Sequence, residues 1–330
     1  MTHENFGLYP QRALRAPKSF FCNVADEELT RLHTLVKASP IGPLTYENGV
    51  KQGPLLTSIG CLIELVVSRY KPETLLFHLI VPSLPGYAFS DGPPLDRDFG
   101  LKDAARVMDK LMVELGFGSG YLAQGGDVGS MIAMLLSANF ETCKALHVTY
   151  LAHDPADLPG SLVDVTEEEK QHLERAKEWR KTGMGYALEQ STRPATIGLA
   201  LSANPLALLA WVGEKFIEWS DKPIPLDTIL GIVSLYWLTD SYPRTIWSYR
   251  SIAREGLHGL ATSEEKPLGY AVFNHELSIV PQAWAKRLYP NMLVYHKYKT
   301  GGHFPGLENP TALLESIMDF VSQVAPAFND

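Results

Sequence analysis

Two spacings of apolar residues alternate along the chain. Short, nearly unbroken apolar runs at 77–81, 121–123, 145–151, 268–273 and 291–298 read as strands, the first of them as a strand buried in a parallel sheet. Between them, apolar residues recur at helical spacing. Leu29, Leu32, Leu35 and Val36 follow Asp26, Glu27 and Glu28, with Asp26 as N-cap and Pro40, Gly42 and Pro43 as terminators. Leu62, Leu65, Val66 and Arg69 mark a helix over 61–70. Ala104, Val107, Met108, Leu111, Met112 and Leu115 mark one over 101–115, and a last helix spans 311–324. Residues 20–24 and 54–57 read as short extended pieces, and 82–90 as a loop. Strands alternating with helices predict an α/β fold with a mostly parallel sheet.

The alternation stops after residue 154. Residues 155–257 read as helical throughout and hold Trp179, Trp211, Trp219, Trp237 and Trp247, five of the six tryptophans. A helical block between strands of one sheet reads as a cap over the strands' C-terminal ends, where ligands bind in open α/β sheets. The expected division is a meander at 1–50, a first half-core at 51–154, a cap at 155–257 and a second half-core at 258–330. The apolar stretch 197–212 is broken by Asn204 and Pro205, so it reads as two buried helical pieces and not a membrane span.

Composition changes little in this picture. Hydrophobic residues make up 45% and charged residues 20%, as in globular proteins. The net charge of −8 and the lack of a basic run argue against nucleic-acid binding. Cys22, Cys61 and Cys143 show neither metal spacing nor a disulfide framework, which fits a reducing compartment. No signal-peptide pattern opens the chain, so a cytoplasmic location is expected.

The candidate chemistry centres on YLAQGGDVGS at 121–130. An apolar strand enters two glycines, one acid follows, and Gly129 leads into an apolar helix. This order is that of a nucleophile elbow with Asp127 in place of the usual serine. A surface turn that merely carries Asp is the competing reading. No G-x-S-x-G occurs, so a serine nucleophile is not in view. His303, on a glycine loop after the last strand, is the best-placed base of the ten histidines. Glu276, just after the preceding strand, is the candidate orienting acid.

These residues reach a known family. The chain resembles soluble, fungal-type members of the microsomal epoxide hydrolase family, of the α/β-hydrolase superfamily. The resemblance runs from about residue 70 to the end. It rests on FHLIVPSLPGYAFSDGPPLDRDFG, GFGSGYLAQGGDVGS, YALEQSTRPATIG, LLAWVGEKF, LYWLTDSYPRTIWSYR and GGHFPGLENP. It implies an α/β-hydrolase core with a helical cap. It also implies Asp127 as nucleophile, His303 as base, Glu276 as relay acid, and Tyr186 and Tyr249 as donors to the epoxide oxygen. The backbone N–H of Val128 would hold an oxyanion, and Trp211, Trp237 and Phe304 would line the substrate pocket. No cofactor and no metal are implied. The expected partner is a small apolar epoxide, either a foreign compound or a biosynthetic intermediate, and a homodimer is compatible with the resemblance.

The chain departs from the family at one place. Where such enzymes carry His-Gly-x-Pro, residues 55–61 read LLTSIGC, and the first strands expected before them are absent. Either the protein is shortened, or coding sequence has been skipped. A repurposed hydrolase fold, binding an apolar ligand or guiding ring opening or cyclisation, is therefore the alternative expectation. Dehalogenase chemistry is a weaker one, because Val128 stands where those enzymes place tryptophan.

Overall fold

The computed structural model of the chain describes residues 18, 20–21, 23–39, 60–71, 74–75, 77–151, 164–256 and 262–325. The expected terminators at Pro40, Gly42 and Pro43, the extended piece at 54–57 and the departure before Gly60 lie outside the described residues, as does Cys22.

Helix α1 (Asp26–Ala38) is followed by α2 (Gly60–Arg69), α3 (Leu101–Met112), β1 (Tyr121–Gly125), α4 (Val128–Asn139) and β2 (Cys143–Val148). A helical series follows: α5 (Glu167–Thr182), α6 (Gly185–Thr192), α7 (Pro194–Ala203), α8 (Pro205–Glu218), α9 (Leu226–Leu238), α10 (Tyr242–Thr245) and α11 (Trp247–Glu255). Then come β3 (Leu268–His275), α12 (Gln282–Leu288), β4 (Met292–Gly302), α13 (Pro305–Glu308) and α14 (Pro310–Val324). Among the described residues the sheet has four strands in the order β1-β2-β3-β4, every neighbouring pair parallel.

Two expectations are corrected. The run at 77–81 joins no ladder among the described residues, and Leu79 and Val81 are 45% and 55% exposed. An apolar run records an affinity for a core, but it cannot supply the strand partner that a ladder needs. Asp26 is not the N-cap of α1. Ala25 holds that position without a side-chain hydrogen bond, and Asp26, Glu27 and Glu28 form the first turn. There they act by charge on the helix dipole and not by capping.

The main core packs α3 and α4 against β1, β2 and β3, with Met134, Leu146, Val148 and Leu268 fully enclosed. Behind β2, β3 and β4 lies α14, whose Phe320 and Leu313 fill the other face. The cap has its own core of α7, α8 and α9, which Leu32 and Leu35 of α1 join. Asn204 ends α7 and caps α8, accepting from the Leu206 and Ala207 N–H groups at 2.8 and 3.2 Å. The two helices meet at 116°, so the apolar stretch folds back on itself. Among the described residues no single helix is long and apolar enough to cross a membrane.

Polar and aromatic contacts dock the cap on the core. Glu169 of α5 closes its own capping box with Thr166 and accepts the Gln282 N–H of α12 at 2.9 Å. Arg175 donates to the Asn274 carbonyl at 2.6 Å, next to the loop that carries Glu276. Trp247 of α11 packs edge-to-face on Phe99 and donates to the Pro85 carbonyl at 2.8 Å, while Asp98 pairs with Arg250 and Arg254.

Candidate active site

Asp127 sits between β1 and α4 with φ 47° and ψ −125°, a conformation an L residue adopts only under constraint. The constraint comes from the crossing of strand and helix. A Cβ on Gly125 would stand 2.2 Å from the Gly129 carbonyl, so residue 125 must be glycine for the helix to start there. Gly129 itself faces open space. The tight bend thus depends on the glycine before the acid and not on the one after it.

His303 lies at the end of β4, with Nδ1 2.8 Å from Glu276 Oε1 and Nε2 4.0 Å from Asp127 Oδ2. Glu276 is buried, and its Oε1 also accepts the Leu277 N–H at 2.7 Å. The imidazole is gripped edge-on by Trp219 and Phe304, at 5.1 and 5.0 Å between centroids. The His303 N–H donates to the Trp219 carbonyl at 3.0 Å.

Charge and burial set the titration of these groups. Burial opposes charging His303, but the Glu276 carboxylate, by charge and hydrogen bond, and then Asp127 outweigh it and lift its pKa to about 9. Burial pushes Asp127 up, while the facing imidazole and the Val128 N–H pull it back. The Asp127 side chain is nevertheless 48% accessible, so water can reach its carboxylate.

Tyr186 on α6 and Tyr249 on α11 meet edge-to-face at 5.6 Å. Burial raises both phenols, and the charge of Asp127 raises them further, so both remain neutral O–H donors at neutral pH. Trp211 donates from Nε1 to Gln190 Oε1 at 3.1 Å, and Phe304 stacks on Phe216 at 4.4 Å. Trp237 is buried in the cap core, with the Arg31 guanidinium 5.4 Å above its ring.

Further tyrosines stand near the acid. Tyr87, Tyr150 and Tyr236 also feel the Asp127 charge, Tyr236 being pushed to about 12, first by burial and then by that charge. Tyr150 carries a signal that could have found it, since it stands just beyond the C-terminal end of β2. Trp219 bridges Tyr186, at 5.2 Å, to His303. It lies eight positions after Trp211 on the helical repeat, which marks packing but not a partner.

The solved structure of Aspergillus niger epoxide hydrolase superposes with a TM-score of 0.87 and 38% identity, covering 97% of this chain and 99% of that one. The chain belongs to the epoxide hydrolase family. A family model described as the alpha/beta hydrolase fold matches residues 70–179. A Dothistroma septosporum protein assigned provisionally to the epoxide hydrolases is 42% identical over 283 residues, 84% of this chain and 66% of its own length. Epoxide hydrolase 1 of Sus scrofa is 32% identical over 276 residues, 74% of this chain and 60% of its own. The chain thus spans less than two thirds of the length of these two relatives, 66% and 60%.

Proposed function

We propose that this epoxide hydrolase family member converts an apolar epoxide to a vicinal diol through an ester on Asp127. The observation that carries the reading is the line Glu276–His303–Asp127, with its 2.8 Å hydrogen bond and 4.0 Å gap. An epoxide is strained, but its oxygen leaves poorly without hydrogen bonds. Tyr186 and Tyr249 supply two donors to that oxygen while staying neutral, as an oxyanion hole does. The Asp127 carboxylate attacks a ring carbon from the opposite side, the carbon–oxygen bond breaks, and the oxygen takes up a proton that water supplies by way of the two phenols, which are left neutral.

The second half follows from the first. In the resting protein His303 is an imidazolium held beside two carboxylates. Once Asp127 becomes an ester its charge is gone, and one cause of the raised imidazole pKa goes with it. The ring's pKa falls, and the fraction that has passed its proton to water is the base. A water hydrogen-bonded to Nε2 at roughly 3 Å can lie against the ester carbon at the apex of a triangle. His303, oriented by Glu276, takes its proton, the Val128 N–H holds the oxyanion, and the diol leaves. The aromatic side chains Trp211, Phe304 and Trp219 fit an apolar substrate.

The test is one turnover in ¹⁸O-water with enzyme in excess over styrene oxide. The peptide bearing Asp127 is expected to gain ¹⁸O while the first diol carries unlabelled oxygen, and Asp127→Ala to give no diol. Label entering the first diol directly, with none in Asp127, would sink the ester route.

A further inference from the structure

Lys215 of α8 is a cation set into the wall of this site. Its side chain is 13% exposed. The ammonium lies 4.5 Å from the centroid of the Tyr186 ring, 5.6 Å from that of Trp211 and 5.8 Å from that of Trp219. Its carboxylate neighbour is Glu214 at 3.2 Å, whose side chain is 52% exposed. A pair with so exposed an acid contributes little. Withdrawing an ammonium from water is costly, so three aromatic faces are the main compensation on hand. Such an arrangement is expensive if its only purpose is packing, because an apolar side chain of similar length would fill the same space without a desolvation cost.

We infer that Lys215 is a positioning residue for epoxide opening, acting through Tyr186 by holding a positive charge over the face of its ring. The inference rests on reading Tyr186 as a donor to the epoxide oxygen. A cation over a phenol draws electron density from the ring and makes the O–H a stronger donor. As the epoxide oxygen gains charge, the hydrogen bond from Tyr186 shortens and negative charge spreads back into the ring. The attraction to the ammonium then grows, so the interaction is stronger in the transition state than in the ground state, which is what accelerates a step. No proton leaves Lys215. The same ammonium fixes the ring against Trp219 and Tyr249, the two side chains that Tyr186 meets at 5.2 and 5.6 Å.

The test is a cycle of four full-length proteins: wild type, Lys215→Met, Tyr186→Phe and the double variant, with Lys215→Arg beside them. Ester formation and ester hydrolysis are measured separately, by rapid quench and by tryptophan fluorescence, on styrene oxide and trans-stilbene oxide. Lys215→Met is expected to slow ester formation roughly tenfold, the factor a desolvated cation–π contact supplies. Substrate affinity and ester hydrolysis should stay at wild-type values, which a collapsed cap would not allow. Lys215→Arg should restore most of the loss. In the Tyr186→Phe background, Lys215→Met should change ester formation less than about twofold, because the two act as one unit. Wild-type ester formation in Lys215→Met overturns the inference, and so does an equal loss in both backgrounds. If Lys215→Met does not fold, Lys215→Gln, uncharged and polar, is read by the same criteria. A wild type that opens neither epoxide overturns the proposed function instead, which the single-variant comparison cannot mimic.

Discussion

Asp127 Oδ2 and His303 Nε2 stand 4.0 Å apart, an ion pair without a hydrogen bond, while the other ring nitrogen is bound to Glu276 at 2.8 Å. The imidazole therefore binds its proton more tightly in the folded chain, where its pKa is about 9, than in the unfolded chain, where it is ~6.5. A raised pKa stabilises the fold fully below the unfolded value, and the contribution fades as pH rises through the folded one. The urea midpoint of the wild type is expected to fall between about pH 7 and 10 on this account. Glu276→Gln removes the main anion, so its midpoint should fall less over the same range. A flat wild-type profile would show that the imidazole is not charged at neutral pH.

On the proposed route, Tyr186→Phe and Tyr249→Phe each remove one donor to the epoxide oxygen. Loss of one such donor costs roughly 10²–10³ in rate. Each variant is expected to slow ester formation by about that factor, with ester hydrolysis little changed. Stopped-flow fluorescence separates the two steps, and a variant slow only in hydrolysis would assign that tyrosine to another role.

At the elbow the two outer glycines make opposite predictions. A Cβ on Gly125 would meet the Gly129 backbone at 2.2 Å, where neither atom can move aside. Gly125→Ala is expected to lower stability by at least ~1–3 kcal/mol, as forced overpacking does. Gly129 has nothing within 4 Å of its would-be Cβ. Gly129→Ala should leave stability unchanged or raise it by up to about 1 kcal/mol, through the unfolded chain. Thermal unfolding of the two variants decides between these signs.

Much of this was legible because strand ends and glycines carry their own signals. Asp127, Glu276 and His303 each follow an apolar run that became β1, β3 or β4, and a parallel sheet delivers such residues to one edge. Tyr186 and Tyr249 sit inside helices whose spacing marks a face and no more. Resemblance singled them out, and helix crossing brings their rings together. Trp219 and Tyr87 were not legible, because each acquires its partner from a different element, and Lys215 was not, because its nearest ring, Tyr186, is brought to it from α6. The run at 77–81 misled for the converse reason: its composition fits a strand, but pairing is a property of the neighbour. Trp237, expected in the pocket with Trp211 and Phe304, shares the cap core with them yet lies under Arg31 of α1.

The loop that carries His303 is held to the cap by a carboxylate clasp, and this yields the last prediction. Glu308 accepts the Asp221 N–H at 2.6 Å and the Phe304 N–H at 3.1 Å. Asp221 in turn accepts the Gly301 N–H at 3.0 Å. A Cβ on Gly302 would meet the Trp219 carbonyl at 2.6 Å, so the two segments touch along their backbones. Glu308→Ala leaves the Asp221 and Phe304 N–H groups without this acceptor, at a cost of roughly 1–3 kcal/mol for each one left buried. The imidazole is then freer to drift from the ester carbon. On the proposed route, ester formation uses Asp127 and the tyrosines, whereas hydrolysis uses a base in position. Glu308→Ala should therefore accumulate the Asp127 ester under turnover, with hydrolysis slowed and formation largely spared. Glu308→Gln keeps one acceptor oxygen and should fall between. Intact-protein mass spectra of rapidly quenched reactions read the ester directly, and equal ester levels in all three proteins would mean that the clasp does not position the base.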